Sequence, residues 1–293
     1  MHGTAEAERL AALGVALMVG VAFLTAVDSV IVRALSPGVH PFVMGFTRAL
    51  FGLIAFLPFI LTRPGILKSH YRARHVLRAA LKLAALIAFF AAFARAPLAD
   101  VTTIAFASPI FVTVGAWVFL GESPRALRIV AAAAGFGGVM LVLEPGRGTV
   151  EIGLLFALLG AILTAVIQLI LKPMSARDST ETLVAWNLIV TVPIAAVPAA
   201  LVWTTPTTYE WALLALQGVL GAVAMGLVTR AFSYAEASLL VPIDFLRLPI
   251  VAVLGYAFFA QVVPINTWVG GIVIFAATLL MARSARSRRP PLV

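Results

Sequence analysis

Ten stretches of roughly 20 apolar residues follow one another along the chain. They lie at about 11–34, 41–62, 75–94, 98–120, 126–143, 151–172, 181–203, 210–231, 237–259 and 265–283, and only short polar or Pro/Gly-marked segments separate them. Runs of that length match helices crossing a hydrocarbon core ~30 Å thick. They are continuous rather than alternating, which selects helices over barrel strands. A helix also bonds every backbone N–H within its own segment, as a lipid surrounding demands. With 62% hydrophobic and only 11% charged residues, the chain has more apolar surface than a globular core can hide. The fold class is therefore all-α integral membrane. Residues 1–10 read as a polar N-terminal tail and 284–293 as a basic C-terminal tail. The opening MHGTAEAERL lacks the basic region and cleavage pattern of a removable signal peptide, so the first run is expected to be a retained span.

Lysines and arginines give the orientation, because cytoplasmic loops carry their excess. With the N-terminus inside, the cytoplasmic face holds Arg9, Arg63, Lys68, Arg72, Arg74, Arg78, Arg125, Arg128, Lys172, Arg177, Arg230, Arg283, Arg286, Arg288 and Arg289. The other face holds Arg33, Arg95 and Arg147. That imbalance predicts cytoplasmic termini in a bacterial cytoplasmic membrane. It also accounts for the net charge of +9 without any nucleic-acid partner.

The chain repeats itself. AFLTAVDSVIVR (22–33) aligns with AILTAVIQLILK (161–172), and AFARA (92–96) with AFSYA (231–235), both at an offset of 139. Pro109 and Gly115 match Pro249 and Gly255 at an offset of 140. The units are read as 11–145 and 151–283, five spans each. An odd number of crossings inverts the second unit in the membrane, giving two inverted five-helix repeats around a central cavity, the architecture of many secondary transporters.

The sequence resembles the drug/metabolite transporter superfamily, EamA-repeat type. The resemblance rests on the paired repeats, Arg48 in FTRALFG (46–52), the junction ARAPLADVTTIAFASPIF (94–111), LGES (120–123) and the Gly-rich GFGG (135–138). The second repeat departs from the pattern. FAQVVP (259–264) stands where a Gly-Glu pair is expected, and Asn187 stands where the first repeat has Arg48. Within the superfamily the chain is most similar to bacterial amino-acid exporters, the aromatic amino-acid subgroup included.

A charge deep in a span costs at least ~2.5–3.5 kcal/mol on insertion scales, so it is expected to be paired or to face water. Asp28 and Arg48 both fall roughly 10 Å below the outer surface. They either form a structural ion pair or border the cavity mouth. In LVPIDFLRLPIV (240–251), Asp244 and Arg247 are spaced to share one face of a helix near mid-membrane, with kinks at Pro242 and Pro249. Arg247 offers a planar fork for a carboxylate, and Asp244 a partner for an ammonium group. The competing reading is mutual neutralisation of Asp244 and Arg247. Pro109 marks the matching kink in span four. Gln168 and Asn187 lie near the repeat partners of Asp28 and Arg48, as cavity lining or as interhelical hydrogen-bonding groups. Lys82 is expected to snorkel toward the cytoplasmic surface.

No enzyme motif stands out. The four histidines, His2, His40, His70 and His75, are read in the tail and loops, and HExxH, GxSxG and GxxxxGK[ST] are all missing. No cofactor or metal is expected. The chain is read as a secondary transporter, not an enzyme, exporting small amphiphilic metabolites, amino acids in particular, by alternating access. Its partners would be that small-molecule substrate and the lipid bilayer, and a monomer is compatible with this reading. The alternatives are export of lipophilic drugs or nucleotide sugars, and a cofactor-free membrane enzyme or lipid-handling protein.

Overall fold

The computed structural model describes residues 2–120, 126–145, 150–174, 177–235 and 237–286, and among them there is no strand. Twelve α-helices follow in order: α1 (His2–Leu35), α2 (Pro41–Thr62), α3 (Arg72–Arg95), α4 (Leu98–Ala105), α5 (Ser108–Leu120), α6 (Ala126–Leu143), α7 (Ile152–Met174), α8 (Thr180–Leu201), α9 (Thr208–Tyr234), α10 (Ala237–Asp244), α11 (Arg247–Phe259) and α12 (Ile265–Arg286). Among the described residues nine spans are long and apolar enough to cross a membrane, counting the composite stretches Leu98–Phe119 and Pro242–Phe259, and the apolar part of α12 is a shorter tenth. Helix α1 already starts at His2, so the polar N-terminal stretch continues the first span as helix. From the LGES motif, Gly121, Glu122 and Ser123 lie outside the described residues, as do Arg125, Arg147, Arg288 and Arg289.

Local chemistry sets several helix ends. At α2, His40 Nδ1 accepts from the Phe42 N–H, and Pro41 occupies the first position, where its missing N–H is no loss. Thr207 and Glu210 form a reciprocal capping box at α9, and Ser179 caps α8.

Spans four and nine are each broken in two. The breaks fall at Phe106–Ala107 and Phe245–Leu246, 139 residues apart, the offset already present in the sequence. Pro109 and Pro249 sit in the first turns of α5 and α11. Each lacks the N–H that would have continued the preceding helix. The Ala105 carbonyl accepts instead from Ser108 Oγ (2.7 Å), and the Phe245 carbonyl from the Leu248 N–H (3.1 Å). The two breaks meet in space: the Phe106 and Phe245 rings stack with centroids 4.2 Å apart.

Helix packing follows the inverted repeat. Helices α1–α9 and α3–α7 form equivalent pairs, as do α2–α9 and α3–α8, and α1–α11 and α5–α7, while α2–α8 and α6–α12 pair across the pseudo-axis. At the α6–α12 crossing a Cβ on Gly138 would lie 2.9 Å from the Gly270 carbonyl oxygen, so only glycine permits this approach. Gly137 meets nothing within 4 Å and is no part of that contact.

One contact breaks the symmetry. Both termini lie on one side of the membrane, and counting crossings puts α5 and α10 there, with α4 and α11 on the far side. Helices α4 and α11 pack together, whereas α5 and α10 have no comparable contact among the described residues.

Candidate functional site

Asp28 and Arg48 come together as their depths suggested. Arg48 Nη1 lies 2.5 Å from Asp28 Oδ1, with side chains 22% and 14% exposed. The guanidinium also faces Gly221 of α9, where a Cβ would lie 2.9 Å from Nη2, and lies 6.0 Å from the Phe90 ring centroid. A side chain at 221 would displace the arginine, so the small residue creates its berth. Lys82 is exposed, and its charged neighbours are Arg78 and Arg48.

Asp244 and Arg247 do not share the face of one continuous helix, because the span-nine break separates them. Asp244 ends α10 and Arg247 begins α11. Their closest approach is 3.8 Å, Nη2 to Oδ2, with side chains 34% and 20% exposed. That distance is an ion-pair contact but too long for a good hydrogen bond. The Arg247 guanidinium instead rests 4.6 Å from the Phe106 ring centroid, and its buried Nε has no partner. Phe106 stacks on Phe245, and Phe245 meets Phe275 at 4.5 Å. The junction of the two broken spans is thus an aromatic wall with one loosely held guanidinium and one loosely held carboxylate. Of the kink prolines, Pro242 lies inside α10 three residues before the break, and Pro109 and Pro249 follow theirs.

Gln168 and Asn187 do not reproduce the Asp28–Arg48 pair. Gln168 is exposed on α7, while Asn187 is buried on α8 with its Oδ1 unpartnered. Gln217 on α9 is fully buried with neither amide atom bonded. Two crevices of about 360 and 330 Å³ are lined wholly by apolar side chains and touch none of these polar groups.

Two polar clusters escaped the sequence reading. On the far side, Asp100 of α4, 8% exposed, accepts from Thr267 Oγ1 of α12 at 2.6 Å. Beside it the Leu98 N–H donates to Gln261 Oε1 at 3.0 Å. On the termini side, Ser69, His75 and Asp178 converge. Ser69 Oγ lies 2.8 Å from His75 Nε2 and donates to Asp178 Oδ2 at 2.5 Å, while His75 Nε2 lies 2.9 Å from that same Oδ2. Burial pushes the Asp178 carboxyl up, but hydrogen bonds from Ser69, His75 and the His70 N–H outweigh it and hold the group below the usual carboxylate range. Trp186 stacks on His75 and donates to the Leu67 carbonyl, and Arg78 donates to the Leu183 carbonyl. This is not a nucleophilic triad: serine and aspartate meet the same ring nitrogen, and Nδ1 is left without a partner. The cluster joins the α2–α3 loop of one repeat to the α7–α8 turn of the other. Its signal was spread over residues more than 100 positions apart, so no local motif could reveal it.

The EamA-like transporter family model matches residues 12–144 and 151–283. A riboflavin transporter of Rhizobium johnstonii is 33% identical over 82% of this chain and 81% of its own length. An S-adenosylmethionine uptake transporter of Rickettsia bellii is 30% identical over 88% and 89%. The pseudopaline exporter CntI of Pseudomonas aeruginosa is 28% identical over 93% and 97%. A solved crystal structure, 17% identical, superposes with a TM-score of 0.61 over 98% of this chain and 99% of that one, a likeness of fold. Its fold and two matched repeats make this chain a small-molecule membrane transporter that belongs to the EamA-like transporter family.

Proposed function

We propose that the chain is a secondary transporter of the bacterial cytoplasmic membrane, with both termini inside, carrying a planar, nitrogen-rich metabolite past the junction of its broken spans. The observation that carries this reading is Arg247, which lies on an aromatic wall, only 3.8 Å from its nearest carboxylate and with its Nε unpartnered. A guanidinium left so weakly neutralised inside a membrane suits a ligand that brings electron-rich or anionic atoms to it. Phe106, Phe245 and Phe275 suit a flat ring system. Riboflavin and S-adenosylmethionine, named for two of the relatives, both join a heteroaromatic ring to a polar tail. The partly buried Asp28–Arg48 pair extends the polar path.

Amino-acid export remains a second reading, favoured by Asp244 and Arg247. These two opposite charges stand close enough to grip the ammonium and carboxylate of one zwitterion.

Liposome flux separates the two readings. Riboflavin is expected to be transported, and to be competed by other planar heterocycles rather than by phenylalanine; the reverse order of competition would establish the amino-acid reading. Arg247→Lys replaces a planar fork with a point charge and should lower flux several-fold, and Arg247→Gln about tenfold or more, both with normal thermal stability in detergent. Full flux by a well-folded Arg247→Gln protein would remove Arg247 from the site. Orientation is tested by Thr205→Cys in this cysteine-free chain, in the exposed α8–α9 loop. It should react with an impermeant maleimide from outside intact cells, and protection there would reverse the assigned topology.

A further inference from the structure

We infer that Gln261 and the Asp100–Thr267 pair form a latch that holds the far side of the transporter shut, and that they act as positioning residues of the transport cycle rather than as substrate contacts. The inference rests on the transport reading but needs no particular substrate.

The first observation is the broken symmetry. An inverted repeat should give α4–α11 and α5–α10 equal contacts, and among the described residues only α4–α11 pack closely. Beneath that crossing Ala26, Leu98 and Val251 are 0% exposed and form an apolar plug with Phe93 and Leu254. At the 140-residue offset that pairs Pro109 with Pro249, the counterpart of Val251 is Phe111 of α5, and both Phe111 and its neighbour Val112 are partly exposed. Among the described residues the structure is therefore sealed on the far side, with no matching closure between α5 and α10 on the termini side.

The second observation is what spans the seal. Helix α4 begins after Pro97, which supplies no side-chain cap, so the Leu98 N–H is an orphan donor of its own helix. Gln261 supplies the missing acceptor from the end of α11. The path of the chain aims it there. Helix α11 ends with the Ala260 N–H bonded to the Tyr256 carbonyl and the Gln261 N–H bonded to the Gly255 carbonyl, with Ala260 left-handed at φ 52°. That reversed turn places residue 261 back over the helix end. Asp100, one turn into α4, is tied to Thr267 of α12, whose side chain is fully buried. Both bonds join α4 of the first repeat to the second repeat, and both must break for α4 to leave α11 and α12.

A hydrogen bond of this kind shifts an equilibrium by roughly two- to tenfold, so losing both should move the closed-to-open ratio of the far side by about tenfold or more. The test uses single cysteines and impermeant maleimide, without substrate, in right-side-out and inside-out vesicles. Val251→Cys, and Ala26→Cys as a second reporter, read the far side; Val112→Cys reads the termini side. Gln261→Leu with Thr267→Val should raise labelling at 251 and 26 from the far side and lower labelling at 112 from the termini side. Gln261→Glu keeps an acceptor for the α4 N-terminus and should leave all three near wild-type rates.

Unchanged labelling at 251 and 26 in the double variant overturns the latch. So does increased labelling there with no fall at 112, since mere loosening of packing would open one side without closing the other. A protein that shows the reciprocal shift yet carries no planar substrate would leave the latch standing and sink the substrate reading of Arg247.

Discussion

On the far side, α4 is held to α11 and α12 by an apolar plug and two hydrogen bonds between repeats; on the termini side, the counterparts α5 and α10 stand without such a contact among the described residues. The two regions derive from one repeated unit, so the difference lies in particular side chains and not in topology. The termini side is tied elsewhere, through Ser69, His75 and Asp178, between α3 and the α7–α8 turn. One end of the molecule is thus fastened at its broken spans and the other at its continuous ones. Fastening continuous spans leaves α5 and α10 without a direct tie to each other among the described residues. Fastening the half-helices themselves makes those bonds the ones a transport cycle must break.

The Asp28–Arg48 pair ties α1 to α2 within the first repeat. Arg48→Gln leaves a carboxylate without its partner and should destabilise the protein by about 3 kcal/mol, read as a fall in detergent melting temperature. Asp28→Asn with Arg48→Gln should recover most of that loss. A double variant as unstable as the sum of the singles would show that the two residues act apart.

A smaller effect belongs to the termini side alone. Asp178→Asn weakens the bonds to Ser69 and His75 and should cost about 1–3 kcal/mol. The Asp178 carboxyl is held below its unfolded value in the folded protein. Its contribution is therefore complete above the unfolded carboxylate pKa of roughly 4 and is lost as pH falls through the lower folded value. Wild type and Asp178→Asn should converge in stability only in that acid range, and a constant gap down through it would mean that the carboxylate charge is not what stabilises the cluster. Asp178→Asn should not open the far-side plug, which Val251→Cys labelling checks.

The smallest effect sharpens the far side. Ala260 occupies the left-handed conformation that favours glycine. Ala260→Gly should raise stability by about 1 kcal/mol and keep Gln261 in place, leaving Val251→Cys labelling low. A destabilised Ala260→Gly protein would show that the methyl group contributes packing beyond the cost of its backbone angle.

Much of the fold was legible early. Span boundaries such as 41–62 and 126–143 coincide with the ends of α2 and α6, because uninterrupted apolar runs have one low-energy form in lipid. The 139-residue offset anticipated the spacing of the two breaks, and the shared depth of Asp28 and Arg48 anticipated their ion pair. Asp244 and Arg247 were less legible. Prolines announce an irregularity but do not say at which residue the hydrogen-bond ladder lapses, and the lapse at Phe245–Leu246 converted a presumed helix face into two helix ends.

By itself the sequence determined the solvent, the number of the spans and the twofold repetition. Hydropathy and periodicity are properties of short windows, and each such window is committed before any other segment meets it. Only the tertiary structure decided which polar groups find each other: Gln261 with the Leu98 N–H, Asp100 with Thr267, and Asp178 with Ser69 and His75. Hydrogen bonds act over about 3 Å, while these partners stand more than 100 residues apart along the chain. That distance closes only when ten helices pack, and so does the choice of which side of the membrane is sealed.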